Sequence, residues 1–382
     1  MLRWTVHLEG GPQRVNHAAV AIGGCVFSFG GYCTGDNYRV VRPIDVHALN
    51  TSTYRWMPVA VQDTEHITPF QRYGHTVVAF EGKVYLWGGR NDLMACNTLY
   101  CFNPATRSWT APVVTGQVPN ARDGHSACVL GHCMYIFGGF EEEFDRFTQD
   151  VYCLDLTTMQ WHFVRTKGSP PSYRDFHTAS AIGHCMYIFG GRGDVSGQYH
   201  SYAEVYCNKI TYLDTVTRTW HELETTGQPP PGRRSHSMFV YKGSLYMFGG
   251  YNGNSNLHFN DLFCFDPRTN NWTELKPLGI PPCPRRRQSC CLCGDRVFLF
   301  GGTSPKPAVP MEVDGIQDNS PLQDHNDLHV LDFAPTLKTL CFLAMGKHKI
   351  DCKNVPSVLI RDFAMMTSHN NITNITRPEH RG

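Results

Sequence analysis

The chain has 382 residues, is 41% hydrophobic, and carries 34 Lys and Arg against 33 Asp and Glu. So even a balance excludes bulk electrostatic attraction to nucleic acid or to an anionic membrane. No apolar run approaches the roughly 20 residues of a membrane helix, and the first residues lack a signal-peptide core. The expectation is an intracellular protein, cytoplasmic or nuclear, whose 16 cysteines stay reduced.

Residues 3–8, around Trp4, read as one strand with no neighbour of its own. From Arg14 onward a skeleton returns six times. An arginine stands at 14, 72, 122, 174, 233 and 285; three positions later come His17, His75, His125, His177, His236 and Gln288. Thirteen positions after those markers a Gly-Gly pair begins, at Gly30, Gly88, Gly138, Gly190, Gly249 and Gly301. The residues before most pairs (84–87, 134–137, 186–189, 245–248 and 297–300) are short apolar runs rich in aromatic and branched side chains, the mark of a strand buried on both faces. A second signature follows in each of five repeats: Asn or Asp, then Trp six positions on, at Asn50/Trp56, Asn103/Trp109, Asp155/Trp161, Asp214/Trp220 and Asp266/Trp272. The polar residue starts a turn and the indole supplies a large body for packing.

A repeat of about 50 residues with four strands and a Gly-Gly pair resembles the kelch family. That resemblance covers residues 1–333 and implies an all-β, six-bladed propeller. The sixth repeat lacks its tryptophan strand, because Lys338 falls where the indole belongs after Asp332. Residues 3–8 are therefore expected to complete blade six and close the ring, leaving no open edge.

Residues 303–326 are proline-rich and acidic, which predicts a disordered insertion. Residues 336–344 follow Pro335 and place Leu337, Leu340, Cys341 and Ala344 at the spacing of one helical face. A short helix is expected there, with Gly346 able to end it. The spacing of Leu337 and Cys341 resembles the elongin-binding box of cullin-RING ligase receptors, and the segment holding Pro356 and Leu359 resembles a cullin-2 box. Residues 334–365 would thus be a helical docking segment and 366–382 a flexible tail.

The order of these parts is similar to kelch-repeat substrate receptors of cullin-2 RING ubiquitin ligases. Such a resemblance implies elongin B/C, cullin-2 and a RING-box protein as partners, Leu337, Cys341 and Ala344 as elongin contacts, and Pro356 and Leu359 as cullin contacts. It also implies capture of proteins that end in glycine, with Arg192 gripping the terminal carboxylate. The residues themselves point to where a ligand sits. Positions just after each repeated arginine and just after each Gly-Gly pair should converge on one mouth, gathering Arg90, Arg192, Arg234, Arg286 and Arg287 with Asp123, Asp175, Tyr73, Tyr173 and Phe176. Clustered guanidiniums suit a carboxylate, and the two aspartates suit a basic residue beside a terminal glycine. The chain's own end, Arg381 and Gly382, has that character, so self-association through Gly382 is a further expectation. Absence of a phosphate loop, a hydrolase elbow and metal-spaced Cys/His sets argues against an enzyme and against a cofactor. The alternative is a non-degradative scaffold that binds cytoskeletal or chromatin protein.

Overall fold

The computed structural model describes residues 1–62, 67–306 and 322–372. Six antiparallel sheets of four strands surround an axis, two of them extended by a short parallel strand. In blade three, for example, Ser126–Leu130 pairs with Cys133–Phe137, which pairs with Val151–Asp155 and then with Gln160–Phe163. The tryptophan of each outer strand lies across from one fixed position of its neighbour: Trp56 opposite Leu49, Trp109 opposite Phe102, Trp161 opposite Leu154, Trp220 opposite Leu213 and Trp272 opposite Phe265.

Blade six takes this strand from the other end of the chain. Arg3–Leu8 pairs antiparallel with Leu328–Asp332, and Trp4 stands opposite Leu331. Trp4 is buried with its ring 5.7 Å from Phe248. The ring is closed as the missing indole implied.

The repeated residues hold the blades to one another. In every blade the residue two past the repeated arginine is left-handed, with φ of 56° at Asn16, 68° at Gly74, 65° at Gly124, 49° at Phe176, 55° at Ser235 and 62° at Arg287. That conformation turns each amide toward the preceding blade. Gly74 donates to Asn16, Gly124 to Gly74, Phe176 to Gly124, Ser235 to Phe176, Arg287 to Ser235 and Asn16 to Arg287, at 2.7–3.1 Å. A second cycle lies beside the first: the second glycine of each pair donates to the carbonyl of the next blade's repeated arginine at 2.8–2.9 Å, ending with Gly302 on Arg14. The guanidiniums of Arg72, Arg122, Arg174, Arg233 and Arg285 reach back to the first glycine's carbonyl in their own blade at 2.8–3.2 Å. His125, His177 and His236 bond hydroxyls of the preceding blade, Thr76, Ser126 and Thr178, at 2.7–2.8 Å.

Beyond Phe333 come two helices, α1 (Leu337–His348) and α2 (Ser357–Thr367). Thr336 caps α1 by accepting from the Thr339 amide. Gly346 does not end α1; the helix passes through it and stops where Lys349 turns left-handed. The physical reason is that an interior glycine costs a helix only about 1 kcal/mol against alanine, while α1 is held beyond it by packing on α2, where Phe342 and Phe363 meet at 5.6 Å.

The expected free tail begins later than residue 366. Met365, Met366 and Ile372 pack on the core at the junction of blades six and one. Asn370 donates from its amide to Glu9 and from its side chain to Tyr54, while its Oδ1 accepts from the Trp56 amide. Gly10 is needed under this strap, since a Cβ there would meet the Asn370 carbonyl oxygen at 1.9 Å. The insertion's centre and the expected self-association through Gly382 fall outside the described residues; at the insertion's base, Thr303–Pro305 pairs with Leu322–Asp324.

Truncating Trp4 tests the closure. Trp4→Ala should cost about 3–5 kcal/mol, the usual range for a buried indole, and deleting residues 1–8 should also bare the edge of Leu328–Asp332 and promote aggregation. An unchanged melting temperature for Trp4→Ala would contradict a structural role for the closing strand.

Candidate functional site: the propeller mouth

The two sets of loop positions pair with each other inside every blade. Val15 bridges Tyr32, Tyr73 pairs with Arg90, Asp123 bridges Phe140, Asp175 bridges Arg192, Arg234 bridges Tyr251 and Arg286 bridges Thr303. All six pairs therefore stand just above the hydrogen-bond cycle and face one opening. Its floor is a cavity of about 120 Å³ lined by the left-handed residues and the repeated His and Gln side chains. Phe176 and Arg287 are the bulky members of that ring.

The charges divide the mouth into two halves. On one side, Arg192 is held by both oxygens of Asp175 and makes a longer 3.4 Å contact with Glu204. Arg90 pairs with Glu142 at 2.5 Å. Tyr73 donates to Asp92 at 2.8 Å and its ring lies 5.4 Å from Tyr32. Asp123 lies buried on this side, its backbone bonded to Phe140 and its carboxyl with no hydrogen bond or ion pair among the described residues. Burial and the nearby Asp175 carboxylate push its pKa up to about 7.

The other half is cationic and largely unanswered. Arg234 has only a 3.8 Å approach to Glu204. Arg286 has no carboxylate partner among the described residues; its guanidinium lies 4.3 Å from the Tyr251 ring centre and its buried Nε is unbonded. Burial, with Arg287 and Arg234 close by, brings the Arg286 pKa down to about 10. Arg287 donates to the Tyr32 hydroxyl at 2.5 Å, yet its Nε is unbonded as well. His258 sits in the same half with both ring nitrogens unbonded, and burial among these arginines lowers its pKa to about 4. Three guanidiniums are thus kept close together without a matching anion, an arrangement that an incoming carboxylate relieves.

The structure brings Arg90, Arg192, Arg234, Arg286, Arg287, Asp123, Asp175, Tyr73 and Phe176 to the mouth but changes their roles, while Tyr173 lines a separate cavity further out. Asp175 and Arg192 are largely committed to each other, while Asp123, Arg286 and Arg287 are the less satisfied groups. His258 had not been expected; together with Tyr251, which follows the Gly249 pair, it comes from the long hairpin of Ser244–Asn252 and Leu257–Asp266. Away from the mouth, Leu337, Leu340, Cys341 and Ala344 are all exposed along α1, with Leu337 77% accessible. Pro356 is exposed at the start of α2 and Leu359 is half-buried. Metal-type side chains lie close together at His7, Asp327 and His329 and at His132, Cys133 and Asp155, but neither group borders the mouth.

The blades, their double cycle of hydrogen bonds and the mouth define a protein-binding β-propeller. A family model described as the KLHDC2/KLHL20/DRC7 Kelch-repeats domain matches residues 74–302, and the chain belongs to the kelch-repeat family. The chain is 52% identical over 379 residues to Kelch domain-containing protein 3 of Rattus norvegicus and of Homo sapiens, covering 98% of this chain and of each relative. It is 31% identical over 268 residues to Host cell factor homolog hcf-1 of Caenorhabditis elegans, which spans 66% of this chain and 33% of that one. None of these names denotes a catalytic activity. Among the described residues, no helix is long and apolar enough to cross a membrane.

Asp123 makes the mouth pH-sensitive. A carboxyl whose folded pKa lies near 7, above its unfolded value near 3.9, withdraws stability as pH rises from about 4 through 7. Asp123→Asn removes that loss. Relative to the parent, the variant should gain little in thermal unfolding at pH 4 or below and most at pH 8; a difference that does not grow with pH would contradict the assignment.

Proposed function

We propose that this protein is the substrate-recognition subunit of a cullin-2 RING ubiquitin ligase, and that it captures proteins by their C-terminal ends. The observation that carries this reading is the set of guanidiniums at Arg234, Arg286 and Arg287, which share one half of the mouth with little carboxylate to answer them. A chain end offers a free carboxylate that no internal segment has, and charge-assisted hydrogen bonds to it contribute roughly 1.5–3 kcal/mol each. Arg192, clamped by Asp175, borders this half, its Nη1 reaching Glu204 only at 3.4 Å. A terminal glycine suits so crowded a floor because it brings no side chain. Asp123 and Glu142, across the opening, favour a basic residue next to that glycine.

The exposed stripe of α1 supports the ligase half of the reading. Leu337, Leu340, Cys341 and Ala344 present apolar groups to solvent on a helix whose other side is already packed through Phe342. Such a stripe suits a pocket on elongin C, with the start of α2 at Pro356 and Leu359 facing the cullin, and elongin B and the RING-box protein joining through them. A scaffold that does not degrade its partner would use the mouth and leave the stripe bare.

Two arms of one experiment test the reading. Peptides ending in Arg-Gly or Lys-Gly with a free acid should bind the full chain, while their C-terminal amides bind at least tenfold more weakly, and Arg286→Ala or Arg234→Ala should erase that difference. Leu337→Ser should abolish co-purification of elongin C and cullin-2 yet leave peptide affinity intact, through loss of roughly 1.5–3 kcal/mol of leucine burial. Equal binding of acid and amide would overturn the carboxylate reading. Undiminished elongin capture by Leu337→Ser would overturn the ligase reading alone.

A further inference from the structure

The top face holds a second opening, outward from the mouth. A cavity of about 550 Å³ lies where blade three passes into blade four. Its inner wall is Phe147 and Tyr173, and its outer wall is Phe163, Val164 and Arg165, where the last strand of blade three runs into the next repeat. Phe147 is fully buried and lies under Arg192, 5.4 Å from that guanidinium, while the Tyr173 carbonyl oxygen would lie 2.8 Å from a Cβ on Gly193. The cavity therefore shares a wall with the mouth.

Its lining mixes polar groups with an apolar part made by Phe147, Val151, Phe163 and Val164, and carries one free charge. Phe163 leaves 42% of its surface in solvent although it ends a strand beside a cavity. Arg146 on the same lining is answered by Glu141 and Asp150 by Arg122. Arg165 has no ion pair or side-chain hydrogen bond among the described residues, so one uncompensated positive charge stands next to an exposed aromatic ring.

We infer that this groove receives the upstream part of the same substrate chain whose end sits in the mouth, and that it selects an aromatic or large aliphatic residue accompanied by a carboxylate side chain. The inference rests on the end-capture reading above. Four strands at about 4.8 Å spacing put the outer strand of a blade roughly 15 Å from the inner one. An extended chain covers about 3.3–3.6 Å per residue, so the groove meets the substrate about four to eight residues before its end. Continuity with the mouth and charge complementarity to Arg165 favour this occupant over an unrelated partner.

The test compares two free-acid peptides sharing their last five residues: a five-residue peptide, and a twelve-residue peptide that adds Phe and Glu upstream. The longer one should bind the full chain at least about fivefold more tightly. Phe163→Ala and Arg165→Glu should each bring its affinity down toward that of the short peptide while leaving the short peptide unchanged. A twelve-residue peptide with Phe and Glu replaced by Ser should lose the same advantage without any change to the protein. Equal affinities for the two lengths, or variants that weaken both alike, would overturn the groove and leave end capture standing. Failure of the short peptide to bind would overturn end capture and this inference with it.

Discussion

The structure depends on a cycle of six backbone hydrogen bonds around the propeller axis, from Asn16 through Gly74, Gly124, Phe176 and Ser235 to Arg287 and back. Each link requires a left-handed residue, a conformation that costs a non-glycine residue roughly 1–2 kcal/mol, and only two of the six positions hold glycine. The strain persists because the second cycle, from Gly-Gly amides to the repeated arginine carbonyls, fixes the same loops from the other side. With the backbone so constrained, side chains at these positions are free to vary. That freedom is where the site lies: Phe176 and Arg287 use ring positions to reach the mouth, and the pair above each ring residue supplies the remaining groups.

The ring also ties the N-terminal strand and the segment after α2 to the blade that carries part of the mouth. Blade six contributes Arg286 and Arg287, and its outer strand is Arg3–Leu8. The segment that follows α2 is bonded to Glu9, Gly10, Tyr54 and Trp56, so the helices are fastened at the junction of blades six and one. A partner held by α1 is thereby placed at a fixed position relative to the blade that carries the cationic half of the mouth. Rigid elements position a functional constellation better than loops do. On the function proposed above, transfer to a captured chain would use that fixed geometry between the mouth and α1.

Much of this was legible in the sequence because repetition separates structural residues from others. Arginine at one offset in all six blades and histidine at another in five signalled a shared structural task, and the absence of an indole after Asp332 signalled that Trp4 would supply it. Convergence of the mouth residues followed from their equal offsets. Their ionic partners did not follow, because these come from loops of unequal length: Glu204 from the hairpin after Arg192, Glu142 from the turn after Phe140. Arg192 looked like the leading carboxylate ligand and turned out to be clamped by Asp175, whereas Arg286 gained importance only once its lack of a partner was visible. Gly346 was misleading for a related reason. A glycine in a helical pattern can end the helix or be tolerated within it, and the packing of Phe342 on Phe363, which carries α1 past Gly346, is not visible in the sequence.

A structure of the full chain bound to a peptide ending in free glycine is the most direct test of the account. The terminal carboxylate should lie within about 3.2 Å of at least two of the guanidiniums of Arg192, Arg234, Arg286 and Arg287, with the glycine Cα over the floor formed by Phe176. A peptide bound by its middle, or with its carboxylate in solvent outside the mouth, would contradict end capture as the purpose of this propeller.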